Sequence, residues 1–270
     1  MKPQTTSEQI LYSTVRLVAS NGSTGTGFFF NFAFGDNKFV PVIITNKHVV
    51  NNNPKETVRF FLHTKSGDAP ADEKLDISFL ADWHFHASQD LCFCFVNPLF
   101  QQIKNMKQKD VFFIPITENL IWDSAKLEGL SAIEDVVMVG YPSGLWDQKN
   151  NLPLFRKGIT SSHPAMDFNN KNTGAVDMAC FPGSSGSPIF ILNENGYTDK
   201  SGNSYLGGKR LIFLGILFQG PQINAKGELI IEDIPTQQKV ASVTPMMINM
   251  GYYIKAVEIM AFKTEIQKVL

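Results

Sequence analysis

Phe39-Val40-Pro41-Val42-Ile43-Ile44-Thr45-Asn46-Lys47-His48 is the stretch on which the fold reading turns. Its first seven residues, mostly β-branched or aromatic, run straight into a polar turn. That is too short for a buried helix and the right length for a strand. The same unit recurs outward in both directions. Val15–Ala19, Gly27–Phe32, Thr57–Leu62, Leu91–Val96, Val111–Pro115 and Val136–Gly140 are comparable runs bounded by Gly, Asn, Asp or Pro. So are Leu154–Thr160, Gly174–Met178, Ser187–Leu192, Leu211–Phe218 and Leu229–Ile231. Twelve short strands with little 3.6-residue periodicity predict an all-β protein, a sandwich or a pair of barrels. Helical signal gathers at the end. Across Ala256–Leu270, the side chains Val257, Met260, Ala261, Ile266 and Val269 approximate one apolar face. Asn193–Lys209 reads as a long exposed hairpin loop, and Gln219–Thr244 as a second loop-rich stretch. Residues 115–135 are the expected joint between two halves.

The 270 residues are 43% hydrophobic and 18% charged, which supplies a core and excludes a disordered chain. With 24 basic against 25 acidic side chains the net charge is -1. There is no electrostatic footprint for nucleic acid, and none is expected as a partner. Three cysteines, Cys92, Cys94 and Cys180, are too few and too odd for a disulfide framework and point to a reducing compartment. Met1–Gln9 is polar, and the apolar stretch from Ile10 is broken by Arg16, unlike a secretory leader. No window nears the ~20 apolar residues of a membrane span. The expectation is a cytoplasmic protein without a membrane partner.

Phe181-Pro182-Gly183-Ser184-Ser185-Gly186-Ser187-Pro188 is the sharpest chemical signal. Two glycines let the backbone fold so that successive N–H groups converge beside the Ser185 hydroxyl, the arrangement an acyl-transfer oxyanion needs. The donors would be the amides of Gly183 and Ser185. Alone, the motif reads more readily as a serine- and glycine-rich hairpin loop with no chemistry. A serine also needs a base. Among five histidines, His48 stands at a strand end, where scaffolds present reactive groups. His84 and His86 read as one face of an exposed strand or loop, and His63 and His163 as loop residues in polar surroundings. The base needs a carboxylate to orient it. Asp90 stands at the mouth of the apolar run Leu91–Val96, whereas Asp72, Asp76 and Asp82 lie in polar, solvated segments. Cys92 and Cys94 share a strand face as core thiols. No second Cys or His pair completes zinc spacing, and neither metal nor organic cofactor is expected.

Taken together, His48 in Thr-Asn-Lys-His-Val, Asp90 in Asp-Leu-Cys-Phe and Ser185 in Gly-Ser-Ser-Gly-Ser-Pro resemble the three signatures of trypsin-like serine peptidases. Their order and separations, 42 and 95 residues, are similar to those of the chymotrypsin type. Thr24–Phe28, Gly140-Tyr141-Pro142, Gly158-Ile159-Thr160 and Leu214-Gly215-Ile216 extend the likeness. Asn249–Ile254 and the helix after it resemble the corresponding segment of the disulfide-free bacterial Deg/heat-shock proteases. The resemblance implies an all-β fold of two six-stranded antiparallel barrels with a C-terminal helix. That would be one peptidase domain over 1–270, with barrels at about 10–120 and 130–255 and the helix at about 256–269. It implies a serine endopeptidase with catalytic His48, Asp90 and Ser185, and an oxyanion hole at Gly183 and Ser185. Ala179, Phe218 and Gln219 would line a pocket without an acidic residue, suited to a small or apolar P1 side chain. Ser184 stands where the digestive enzymes carry Asp, so activation by N-terminal cleavage is not expected. The partner implied is a polypeptide substrate, with a protein activator or regulator acting on Asn193–Lys209 or Gln219–Thr244. The alternative is a catalytically silent or partner-activated peptide-binding module on the same fold.

Overall fold

A computed structural model describes residues 2–35, 38–142, 145–229 and 240–269. After a short helix α1 (Thr6–Ile10), the first half carries strands β1 (Thr14–Ala19), β2 (Thr24–Ala33), β3 (Phe39–Thr45), β4 (Lys55–Ser66), β5 (Ala69–Asp82), β6 (His84–Phe85) and β7 (Cys92–Phe95). Helix α2 (Val96–Lys107) follows, then β8 (Val111–Phe112), β9 (Ile116–Thr117) and helix α3 (Ser124–Glu128). The second half contributes β10 (Asp135–Gly140), β11 (Leu154–Thr160), β12 (Thr173–Asp177), β13 (Pro188–Asn193), β14 (Gly196–Thr198), β15 (Ser204–Leu206) and β16 (Arg210–Gln219). Last come β17 (Gln222–Leu229), β18 (Val240–Met247), β19 (Met250–Lys255), a 3-10 turn at Ala256–Met260 and helix α4 (Ala261–Gln267).

The mostly-β expectation holds, and the second half is the predicted closed barrel of six strands, β10-β11-β12-β19-β16-β13. The first half departs from it. Among the described residues it is a nine-stranded sheet, not a closed six-stranded barrel: seven strands follow the path β5-β4-β1-β2-β3-β7-β6, while β8 pairs with β4 and β9 pairs with β2 in parallel, both off the path. The ends of the path do not meet. One is the two-residue β6, and the other is β5, whose outward Lys74, Asp76, Ser78 and Asp82 face water as an edge strand's side chains do.

Strand β2 explains how the halves cohere. Phe28, Phe30 and Phe32 alternate onto one face and join Phe93, Phe190, Phe213 and Phe262 in a cluster drawn from both halves. Phe29 points the other way, into a cluster with Val15, Leu17, Ile43, Cys92 and Cys94. The period of two therefore splits one phenylalanine run between two cores. Within the shared cluster Phe213 links the two halves, with ring centroids 5.4 Å from Phe28 of the first and 5.4 Å from Phe190 of the second.

Three further expectations change. Helix α2 was unpredicted, although Val96, Leu99 and Ile103 form its buried stripe. At the C-terminus the buried residues are Ala256, Ile259, Phe262 and Ile266, while Val257 and Val269 are exposed. The segment begins as a tighter 3-10 turn, and three residues per turn rotate the apolar face away from the one a 3.6 period predicts. The described parts of Gln219–Thr244 are strands rather than loop, their backbone forming an eight-rung hairpin from Gln222↔Met247 to Leu229↔Val240. Of the expected strand Leu229–Ile231, Leu229 ends β17, while Ile230 and Ile231 lie outside the described residues. Asn193–Lys209 is the expected exposed hairpin, built from β14 and β15. Among the described residues no helix is long and apolar enough to cross a membrane.

Candidate active site

Register puts the first two residues together. In the antiparallel pair of β3 with β7, Thr45 lies opposite Cys92. The chain beyond Thr45 and the chain before Cys92 are therefore neighbours. His48 occupies a single 3-10 turn, Lys47–Val50, ended by Asn51 in the left-handed region. Asp90 faces it and holds it twice: Oδ2 lies 2.5 Å from the ring Nδ1, and Oδ1 accepts from the His48 backbone N–H at 3.2 Å. The carboxylate places the ring proton on Nδ1, which leaves Nε2 as an acceptor. The side chains are 42% and 29% exposed, so the outer edge of the imidazole is open to a substrate. The Asp90 carbonyl is pinned in turn by the buried Asn46 amide at 2.7 Å.

The Ser185 loop joins β12 to β13. Gly183 and Gly186 take φ of 86° and 84°, a region that an L side chain enters at a cost. The amides of Ser184, Gly186 and Ser187 are consumed by Phe181 O, Leu217 O and Ser184 O. Among the described residues those of Gly183 and Ser185 alone in Gly183–Ser187 have no partner, and they are the two the sequence singles out as oxyanion donors. Ser185 is half-buried between fully buried Ser184 and Ser187.

Thr26 ties this loop to the strand that launches His48. Its N–H donates to Ser185 O at 2.9 Å and its hydroxyl to Gly183 O at 3.2 Å. The same hydroxyl accepts from Tyr141 N–H at 3.1 Å, while its carbonyl accepts from Thr45 Oγ1 at 2.7 Å. Thr45 stands three residues before His48. A Cβ on Gly186 would fall 1.9 Å from Thr26 O and 2.6 Å from Thr45 Oγ1, so the loop is pressed against both threonines. His48 and Asp90 thus bond directly, whereas Ser185 reaches the same region through Thr26. Among the described residues no hydrogen bond joins Ser185 Oγ to His48 Nε2. Bonds of this kind are often long in a resting site and tighten when substrate binds.

A family model described as the trypsin-like peptidase domain matches residues 25–197. The chain belongs to the trypsin-like peptidases. No curated protein matches it. Two solved structures align along the peptidase. One is a thermostable serine protease, AL20, from an extremophilic microorganism, 14% identical over 91% of this chain and 93% of that one, with a TM-score of 0.41. The other is the scabies mite inactivated protease paralogue S-I1, 11% identical over 96% of each chain, with a TM-score of 0.44.

At the expected pocket of the peptidase, Ala179 is half-buried and Gln219 exposed. Between Leu217 and Gln219 the β16–β19 ladder slips by one residue, and Phe218 packs on the core shared by the two halves. Cys180, beside Ala179, is buried, and burial raises its thiol pKa to about 11 against a weaker lowering by the Arg156 cation. Ser184 is buried, and its hydroxyl has no partner among the described residues. Those residues gather no group of three or more His, Cys, Asp or Glu that would suit a metal.

Sequence reasoning includes Thr26, Thr45 and Asn46 in the motifs it uses but gives none of them a role. It also misjudged two histidines. His63 lies in β4 and is 5% exposed; His86 is 6% exposed. His63 faces inward on a strand whose alternation is hidden by Thr64 and Lys65. His86 owes its burial to the second half folding over it.

Proposed function

We propose that the peptidase is a serine endopeptidase working through Ser185, His48 and Asp90. Ser185 Oγ attacks the scissile carbonyl carbon as His48 Nε2 takes the hydroxyl proton. The tetrahedral oxyanion rests on the amides of Gly183 and Ser185. His48 returns the proton to the leaving amine, giving an acyl-enzyme that water, activated by the same imidazole, hydrolyses. Asp90 stays ionised throughout and steadies the imidazolium. What carries this reading is the doubly held His48 on Asp90, together with two amides left unpaired beside a half-buried serine.

The half-buried Ala179 and Phe218 support a small or apolar P1 residue. Three free, buried cysteines support work in a reducing compartment. Residues 1–270 act as one peptidase domain, and a protein regulator restrains it from general digestion.

An active-site fluorophosphonate should label the parent protein, and Ser185→Ala should abolish the label. Turnover in that variant should fall by about 10⁴–10⁶. Equal labelling of parent and variant refutes the assignment. Binding of denatured polypeptide with no cleavage by the parent would favour the silent peptide-binding module.

A further inference from the structure

We propose that His86 is a positioning residue for the general base, acting through the loop that carries Asp90. This rests on the reading of Asp90 as the carboxylate that orients His48.

His86 sits four residues before Asp90, nearly buried and edge-on to Phe262, with ring centroids 5.5 Å apart. Its Nδ1 accepts two backbone amides of its own loop, from Ser88 at 3.2 Å and Gln89 at 2.9 Å. Its backbone N–H donates to Leu91 O at 2.9 Å. The loop is therefore closed at the base by a main-chain bond and filled from inside by a ring nitrogen, with Asp90 at its end. Accepting two amides demands a lone pair on Nδ1, so the ring carries its hydrogen on Nε2.

That second nitrogen faces the other half. It lies 3.8 Å from Glu258 Oε2, in the 3-10 turn after β19, and Glu258 Oε1 accepts from Asn172 Nδ2 at 2.8 Å. Gln89 Nε2 adds a bond to Lys171 O at 3.3 Å. A loop without regular structure is ordinarily mobile. Here one imidazole sets its inner shape and faces the opposite half of the molecule. Orientation of a general base degrades within about an ångström of displacement, so the ring that shapes the Asp90 loop governs how well His48 is aimed.

The acceptor geometry separates this role from space-filling. Amides two and three residues onward are the ones an Asn side chain captures in its own turn, so His86→Asn keeps the acceptor and loses the ring. His86→Phe keeps the ring against Phe262 and loses both nitrogens. We expect His86→Phe to fold with a parental circular dichroism spectrum. Its kcat should fall about tenfold to a hundredfold with KM within about twofold. The downfield proton resonance shared by His48 and Asp90 should shift or broaden. His86→Asn should restore both readouts to near the parent.

A folded His86→Phe with parental kcat and an unmoved resonance overturns the proposal. So does a His86→Asn as impaired as the phenylalanine variant. If His86→Phe does not fold, nitrogen NMR of the labelled parent decides. A bare, hydrogen-bonded Nδ1 on His86 supports the role, and a protonated Nδ1 ends it. The resonance needs no turnover. A parent that holds it, loses it in His86→Phe and yet cleaves nothing would sink the peptidase reading while leaving this one standing.

Discussion

Gly186 shows how narrowly the candidate site is built at the level of single residues. Its φ of 84° disfavours any side chain, and a Cβ would meet Thr26 O at 1.9 Å, which is backbone and cannot swing away. Gly186→Ala should therefore break the Thr26–Ser185 bond and cost at least ~2 kcal/mol. A lowered melting temperature together with lost fluorophosphonate labelling checks it; a variant that labels normally contradicts it. Asp90→Asn tests the other arm. The amide can still sit beside His48, but as a donor it favours the wrong ring tautomer. Turnover should fall by about 10⁴ with KM little changed, measured by steady-state kinetics on one peptide. A drop of less than tenfold would remove Asp90 from the mechanism.

Among the elements, β2 carries the most weight because both of its faces are buried. Its partner across the halves, Phe213 in β16, is 1% exposed between two other phenylalanines. Phe213→Ala should cost about 3–5 kcal/mol, read from urea midpoints at unchanged slope. A loss below 1 kcal/mol would mean that the shared cluster does not hold the halves together. At this scale the sequence was partly legible. Short runs such as Phe39–Thr45 and Leu154–Thr160 announced themselves, because apolar β-branched stretches between turn residues have few other uses. Strand β5 did not. Its outward positions run through Lys74, Asp76 and Ser78, which mask the inner face of Leu75, Ile77, Phe79 and Ala81. Helix α2 was lost because Leu91–Val96 reads as one apolar run, although the strand stops at Phe95 and the helix begins at Val96. His48, Asp90 and Ser185 stand out as candidates because each sits in a local pattern with its own chemistry. His86 does not, since its role arises only when distant Glu258 and Phe262 close over it.

For the molecule as a whole, the buried His63 sets a dependence on acidity. Burial, reinforced by the Lys74 cation, lowers its pKa from 6.5 to about 4, while the Asn151 backbone opposes this weakly. Among the described residues neither ring nitrogen has a hydrogen-bond partner at ordinary length, and Tyr12 packs edge-on against the ring. The proton thus prefers the unfolded chain. Stability held by neutral His63 is whole above pH 6.5 and drains away as the pH falls toward about 4. The full loss is on the order of 3 kcal/mol. Denaturant unfolding at a series of pH values should show this slope, and His63→Leu should flatten it. An unchanged slope in the variant would assign the acid sensitivity elsewhere.

The phenylalanine ladder of β2 has one more consequence. Because Phe28, Phe30 and Phe32 of one half complete a cluster with Phe190 and Phe213 of the other, neither half closes its interior alone. A nick in the connector near Trp122–Gly129 would leave two fragments, each with a sticky aromatic flank that fits only the other. The enzyme is thus a natural candidate for split-protein complementation, in which reunion of the severed pieces is itself the event that switches hydrolysis on.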